Sequence, residues 1–177
     1  MNPAKTLIVG HTSIAPQLQV WFQKHGFEKR IIVPAAVAPL LAARNTGIRD
    51  ALKLVEQHGF EHIIFCDSDV YPCQSATDEW LAIANAADLT SCRCDTDNPG
   101  AYGGDEAFHW ALSSVKVETL KKVKAPWVVA EYNEDGTQLL KCDCGTFAGK
   151  IKAVGGTIKH AGLCIHMHRG TWHTKTY

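Results

Sequence analysis

The sequence predicts an α/β domain on a mostly parallel central sheet flanked by helices. Short β-branched runs alternate with stretches of helical periodicity, Gly closes the first two of those stretches, and the run His62-Ile63-Ile64-Phe65-Cys66 reads as a strand covered on both faces of a parallel sheet. The length of 177 residues predicts a single domain over 1–177, burying roughly 70% of the extended-chain surface.

Lys5 to Gly10 is an apolar run ending in Gly, hence a strand. Leu18, Trp21, Phe22 and His25 then recur at helical spacing up to Gly26, which predicts a helix and its stop. Arg30 to Val33 is a second strand before Pro34. Leu41, Ile48, Leu52 and Val55 mark a second helix that Gly59 ends. The strand His62 to Cys66 leads into Asp67-Ser68-Asp69, Asp78 to Ala87 reads as a helix with Trp80, Leu81 and Ala84 on one side, and Leu89 to Cys94 reads as a strand. Asp95 to Asp105 is a Gly- and Asp-rich loop. Beyond it the alternation loosens: Val115 to Lys122 is read as helical, Val128 to Tyr132 and Gln138 to Lys141 as flanks of the turn Asn133 to Gly136, Thr146 to Val154 as helical, and Thr157 to His168 as strand. There is no internal repeat and no linker.

Composition excludes several classes. Apolar residues at 46% and charged residues at 20% rule out a disordered chain. Lys plus Arg and Asp plus Glu both number 18, leaving a formal charge of zero and none of the basic excess that nucleic-acid binding uses. The longest apolar run, Ile31 to Ala43, is broken by Pro34 and Pro39 and is too short to cross a bilayer. Four apolar residues after Lys5 make no secretory signal. Seven Cys, an odd number, predict thiols in a reducing, cytosolic compartment.

Asp67-Ser68-Asp69 carries the strongest chemical signal. Two carboxylates one residue apart at the end of a buried strand present hard oxygen ligands to Mn²⁺ or Mg²⁺, which in turn bridges nucleotide phosphates. In open α/β sheets, ligands bind outside the carboxyl ends of strands. Taken alone, the same residues also make an ordinary strand-end turn capped by Asp67. A haloacid-dehalogenase-type phosphatase places Asp-x-Asp after the first strand, whereas here it follows the third and continues Val70-Tyr71-Pro72, so that reading is rejected.

Around this motif the chain resembles the nucleotide-sugar-dependent glycosyltransferases of the A-type fold, particularly the large family with many small bacterial and phage members. Ala43-Arg44-Asn45-Thr46-Gly47-Ile48-Arg49-Asp50-Ala51 resembles that family's Ala-Arg-Asn-x-Gly-x-x-x-Ala helix. Trp127 after Pro126, the Asn133 to Gly136 turn, Asp143, Phe147, Lys150 and Gly155 follow in the family's order, and the resemblance runs from Lys5 to Trp172. It implies a sugar transferred from a nucleoside-diphosphate sugar donor to a carbohydrate or other hydroxyl acceptor, with Mn²⁺ or Mg²⁺. Residue by residue, the resemblance implies that Arg44, Asn45, Asp67, Ser68 and Asp69 would hold the donor, with Asp69 on the metal directly and Asp67 on the ribose or the metal's water shell. The third ligand would be His168 or His166. His168-Arg169-Gly170 fits the family's His-x-Gly spacing, whereas His166-Met167-His168-Arg169 resembles the end of the mucin-type N-acetylgalactosaminyltransferases. A surface Arg44 and a structural strand His are the ordinary alternatives.

Asp143 is the expected base of an inverting transfer, with Glu131 and Asp105 in reserve. Spacing from Phe147, Lys150 and Gly155 puts Asp143 at the first position of the family's acidic pair and Cys144 where its base stands. After the second strand, Val33 runs into Pro34-Ala35-Ala36 instead of an acidic base-reading residue, so nucleotide preference stays open. Asn98 to Gly104 reads as a donor lid or a plain loop. Two rival functions remain: a degenerate transferase kept as a nucleotide- or sugar-binding module, and a nucleotidyltransferase, for whose phosphate loop Gly10-His11-Thr12-Ser13 is a poor match. Cys92-x-Cys94 and Cys142-x-Cys144 would supply four thiolates to a structural zinc if adjacent. Trp21, Trp80 and Trp110 are read as core, and Trp127 and Trp172 as candidates to stack on a sugar or base.

Overall fold

The computed structural model describes residues 1–33, 40–94, 110–132, 134, 139–141 and 143–166. The chain begins β1 (Thr6–His11), α1 (Pro16–Lys24), β2 (Arg30–Val33), α2 (Leu40–His58), β3 (His62–Cys66). Pro16 opens α1, where its missing N–H costs nothing. Gly26 and Gly59 follow the first two helices in the left-handed region, at φ 79° and 67°, which only Gly adopts cheaply. Then come β4 (Val70–Pro72), α3 (Ser75–Ile83), β5 (Leu89–Cys94), β6 (Leu112–Lys116), α4 (Val117–Lys122), β7 (Glu131–Tyr132), β8 (Leu139–Lys141), α5 (Asp143–Ala153) and β9 (Ile158–His166).

Seven strands form one sheet in the order β2-β1-β3-β6-β5-β9-β4, and β7 and β8 pair as a separate antiparallel ribbon. The sheet is mixed, which corrects the mostly parallel expectation. β1 pairs in parallel with β2 and β3, and β5 with β9, whereas β3–β6, β5–β6 and β4–β9 are antiparallel. β6 causes most of the difference. Its sequence Leu-Ser-Ser-Val-Lys lacks the β-branched signature, and Val115 and Lys116, expected to begin a helix, end this strand instead. Ser113 and Ser114 lie opposite Phe65 and Ile64 of β3 and opposite Ser91 and Thr90 of β5, so small side chains occupy the middle of the sheet. β4, also absent from the sequence reading, is a short edge strand that ends at Pro72, where a missing donor is tolerated.

Alternation along the strands divides the core in two. Leu7, Val9, Ile63, Phe65, Leu89 and Val115 pack against α2, α4 and α5. Ile8, Ile64, Cys66, Cys92, Leu112 and Cys164 pack against α1 and α3. Each fully buried aliphatic or aromatic side chain contributes about 1.5–3 kcal/mol. Trp21, Trp80 and Trp110 are core residues, as expected. Cys92 and Cys94 belong to the second cluster, whereas Cys144 packs against the first. The two Cys-x-Cys segments therefore do not converge on a zinc site through the residues described, and Cys142 lies outside them.

At the edge of the sheet where β3 begins, Asp88 joins three elements. Its carboxylate accepts the Thr157 N–H and hydroxyl at 2.8 Å each and the Thr119 hydroxyl at 2.8 Å. These bonds, led by the Thr157 backbone N–H, hold its pKa down at about 2. A lowered carboxylate pKa stabilises the fold above the ordinary value, and the contribution is lost as pH falls from about 4 to about 2, a change of about 2 kcal/mol. Asp88→Asn is expected to cost that much at pH 6, and the gap from wild type to shrink to about a third of that by pH 2.5. Urea unfolding at the two pH values tests this; a constant gap would contradict it.

Candidate active site

The directions of the strands define where the site lies. β1, β2, β3, β5 and β9 run one way and β4 and β6 the other. The carboxyl ends of β1, β3 and β9 and the starts of β4 and β6 therefore share one edge, the edge at which ligands meet open α/β sheets. Asp67 leaves β3 there, its N–H bonded to the carbonyl of Ala111 at 3.0 Å, one step beyond the Cys66–Leu112 pair.

Arg44 organises this edge. It shares a helix face with Ile48, Ala51 and Val55, the buried stripe of α2, so the stripe that packs α2 on the sheet carries the Arg inward and leaves it 5% exposed. One guanidinium nitrogen donates to Asp143 Oδ2. Another donates to Asp67 at 3.3 and 3.4 Å. The guanidinium carbon lies 5.1 Å from the centre of the Trp110 ring, within cation–π range. Trp110 in turn packs on Phe147 and Phe65 at 4.6 and 5.1 Å between centroids. The solvated helix Arg weighed from sequence is thus a buried clamp between carboxylates 23 and 99 residues away.

Asp143 opens α5, and its helix face continues through Phe147, fully buried, to Lys150, which donates to the carbonyl of Pro126. Thr146 donates to the carbonyls of Val129 and, at 3.0 Å, Asp143. Asn45 ties the same 126–129 segment to α2: its amide donates to the carbonyls of Leu41 at 2.9 Å and Val128 at 2.7 Å, and its oxygen accepts the Val128 N–H at 3.1 Å. The Asn45 amide thus faces backbone. Cys144 Sγ lies 3.7 Å from Asp143 Oδ1 while its residue packs on the first cluster, so at this register the acidic side chain on the Arg44 clamp is Asp143.

Ser68 and Asp69 form the half-buried turn into β4. The His166 backbone pairs with Val70, so β9 ends beside this turn. The His166 and Glu131 side chains, His168, Asp105, the Asn98 to Gly104 segment and Trp172 lie outside the described residues. Among the described residues, no three His, Cys, Asp or Glu side chains group as metal ligands. Mg²⁺ and Mn²⁺ take one or two carboxylates and complete their shell with water and phosphate oxygens, which is the donor type that Asp67 and Asp69 carry.

His11 is the residue the sequence reading missed. It ends β1 at 6% exposure, and among the described residues neither ring nitrogen has a hydrogen-bond partner. Burial pushes its pKa below the usual imidazole value, with Asp67 opposing and Arg44 reinforcing. A polar residue closing the first buried strand at the ligand-binding edge was the available signal. Trp127 stands apart, lining a cleft with Leu52, Glu56, Leu120, Lys121 and Val123 on the α2–α4 face.

No sequence-family profile matches the chain, and no curated protein matches it in sequence. Solved structures do. A197 from STIV superposes with a TM-score of 0.55 at 13% identity, over 91% of this chain and 81% of that one. A glycosyltransferase involved in the glycosylation of the major capsid of PBCV-1 superposes with a TM-score of 0.54 at 13% identity, over 93% of this chain and 94% of that one. The chain shares its overall fold with both structures. Among the described residues no helix is long and apolar enough to cross a membrane.

Proposed function

We propose that this protein is a glycosyltransferase of the A-type fold that moves a sugar from a nucleoside-diphosphate sugar to a hydroxyl acceptor, aided by Mn²⁺ or Mg²⁺. The observation that carries the reading is the Arg44 clamp: residues from α2, the end of β3 and the start of α5 converge at the carboxyl edge of a glycosyltransferase-like sheet. Asp67, Asp69 and a C-terminal His, His166 or His168, would hold the metal, which supplies positive charge to a diphosphate leaving group. Ser68 borders the donor, and Asn45 serves it by fixing the 126–129 segment. Asp143, held by Arg44 through Oδ2, takes the acceptor hydroxyl proton with its other oxygen as the sugar is displaced with inversion.

Thermal unfolding with UDP, GDP and CDP, each with Mn²⁺ or with EDTA, tests the donor site by mass action. One nucleotide is expected to raise Tm in the presence of Mn²⁺ alone. Asp69→Ala is expected to abolish that rise in a variant whose metal-free unfolding transition remains cooperative. A rise that survives in Asp69→Ala would exclude the metal assignment. The engagement of Asp143 by Arg44 and the presence of Cys144 favour one second reading, a nucleotide-binding module without turnover. Asp143→Asn separates the two: a transferase loses about 10²- to 10⁴-fold in sugar transfer with donor affinity kept, whereas a module has no turnover to lose.

A further inference from the structure

Cys94 ends β5, and Cys164 lies in β9 two residues before His166. Both thiols are buried, at 4% and 0% exposure, and their sulfurs are 3.7 Å apart. A bulge makes them neighbours. The parallel ladder matches Cys92 to Ala161 but Arg93 to Leu163, so Gly162 is the extra residue that brings Cys164 opposite Cys94. Unbulged, Cys94 would face Leu163. Adjacent strands stand about 4.8 Å apart, within the window of roughly 4.4–6.8 Å between Cα atoms that a disulfide spans.

We propose that Cys94 and Cys164 are a redox-active pair that closes to a reversible disulfide across the β5–β9 ladder. With oxidised glutathione as the oxidant, one protein thiol attacks the glutathione disulfide, forming a mixed disulfide and releasing one glutathione thiolate. The second protein thiol attacks the protein sulfur of that mixed disulfide and releases the other. Two electrons pass to glutathione, and the two thiol protons leave on the released thiols. The bond ties β5 to β9 just before the strand end that meets Val70 and the Asp67–Asp69 turn. The inference stands independently of the transferase reading.

The sequence makes the test unambiguous. Trypsin cuts after Arg93, Lys116, Lys159 and Arg169, so Cys94 is the sole Cys of the peptide Cys94–Lys116 and Cys164 the sole Cys of His160–Arg169, whereas Cys66, Cys73 and Cys92 share another. The folded protein is equilibrated with oxidised glutathione, alkylated and digested. The expected product is lighter by two hydrogen atoms, links those two peptides, and disappears on treatment with dithiothreitol. Cys92→Ser keeps the link and Cys164→Ser abolishes it. Full alkylation of both thiols after equilibration, a lasting glutathione adduct on either, or a link from His160–Arg169 to the peptide holding Cys66, Cys73 and Cys92 overturns the proposal.

Discussion

Arg44→Met is expected to lower stability by roughly 3–5 kcal/mol, the usual cost of breaking a buried ion pair from one side. The loss is large because one Arg side chain, 6% exposed, serves two Asp side chains that are themselves only 15% and 16% exposed. Without it, the Asp67 and Asp143 carboxyl groups stay in a poorly solvated place with no cation between them. For a domain of 177 residues the loss corresponds to a fall in Tm of roughly 10 °C. Arg44→Lys is expected to recover part of it, because an ammonium lacks the planar fork that reaches two carboxylates at once. A double-mutant cycle with Asp143→Asn isolates the pair: the double variant should be more stable than the sum of the single losses by more than about 1 kcal/mol. The Mn²⁺-dependent nucleotide shift should vanish with Arg44→Met, since Asp67 is no longer held. A loss under 1 kcal/mol in urea unfolding would show that the clamp does not support the fold.

Gly162→Ala is expected to be the most damaging single-methyl change in the sheet, at roughly 4 kcal/mol, combining a strained backbone with overpacking. Gly162 has φ 69°, a conformation a side chain resists. A Cβ there would stand 2.3 Å from the Ala76 carbonyl oxygen and 2.8 Å from the Trp80 nitrogen. Both are backbone atoms of α3, so no rotamer change relieves the clash. β9 would have to lose its bulge or α3 its seat. Losing the bulge moves every later residue of β9 to the opposite face, and with it Cys164 and the strand end at His166. Gly155→Ala is the control: it also has positive φ, 81°, but nothing lies within 4 Å of its Cβ position, so it should cost about 1 kcal/mol. Chemical denaturation of the two variants checks this, and equal losses would refute the role of the α3 contact.

The first half of the fold was legible because its signals are local. Periodicity and Gly stops located β1, α1, β2, α2 and β3, and the apolar run into Asp67 placed that carboxylate at a strand end. The helix read over Thr146 to Val154 begins three residues earlier, at Asp143, which puts Asp143 on one face with Phe147 and Lys150. Arg44 was legible from sequence only as a residue facing the donor or as a surface Arg; the stripe it shares with Ile48, Ala51 and Val55 buries it, and nothing local names its partners. β6 was missed because Ser113 and Ser114 have weak strand propensity and lie in the sheet only through pairing with β3 and β5 on either side.

By itself, then, the sequence determined the α/β class, the order of the early elements and which faces are buried, since each follows from the side-chain period along a few consecutive residues. The tertiary structure decided the mixed sheet, the clamp of Asp67 and Asp143 by Arg44, the pairing of Cys94 with Cys164 and the burial of His11. These depend on which distant segments pair and in which direction, and that choice is made by burying surfaces against one another across the whole chain.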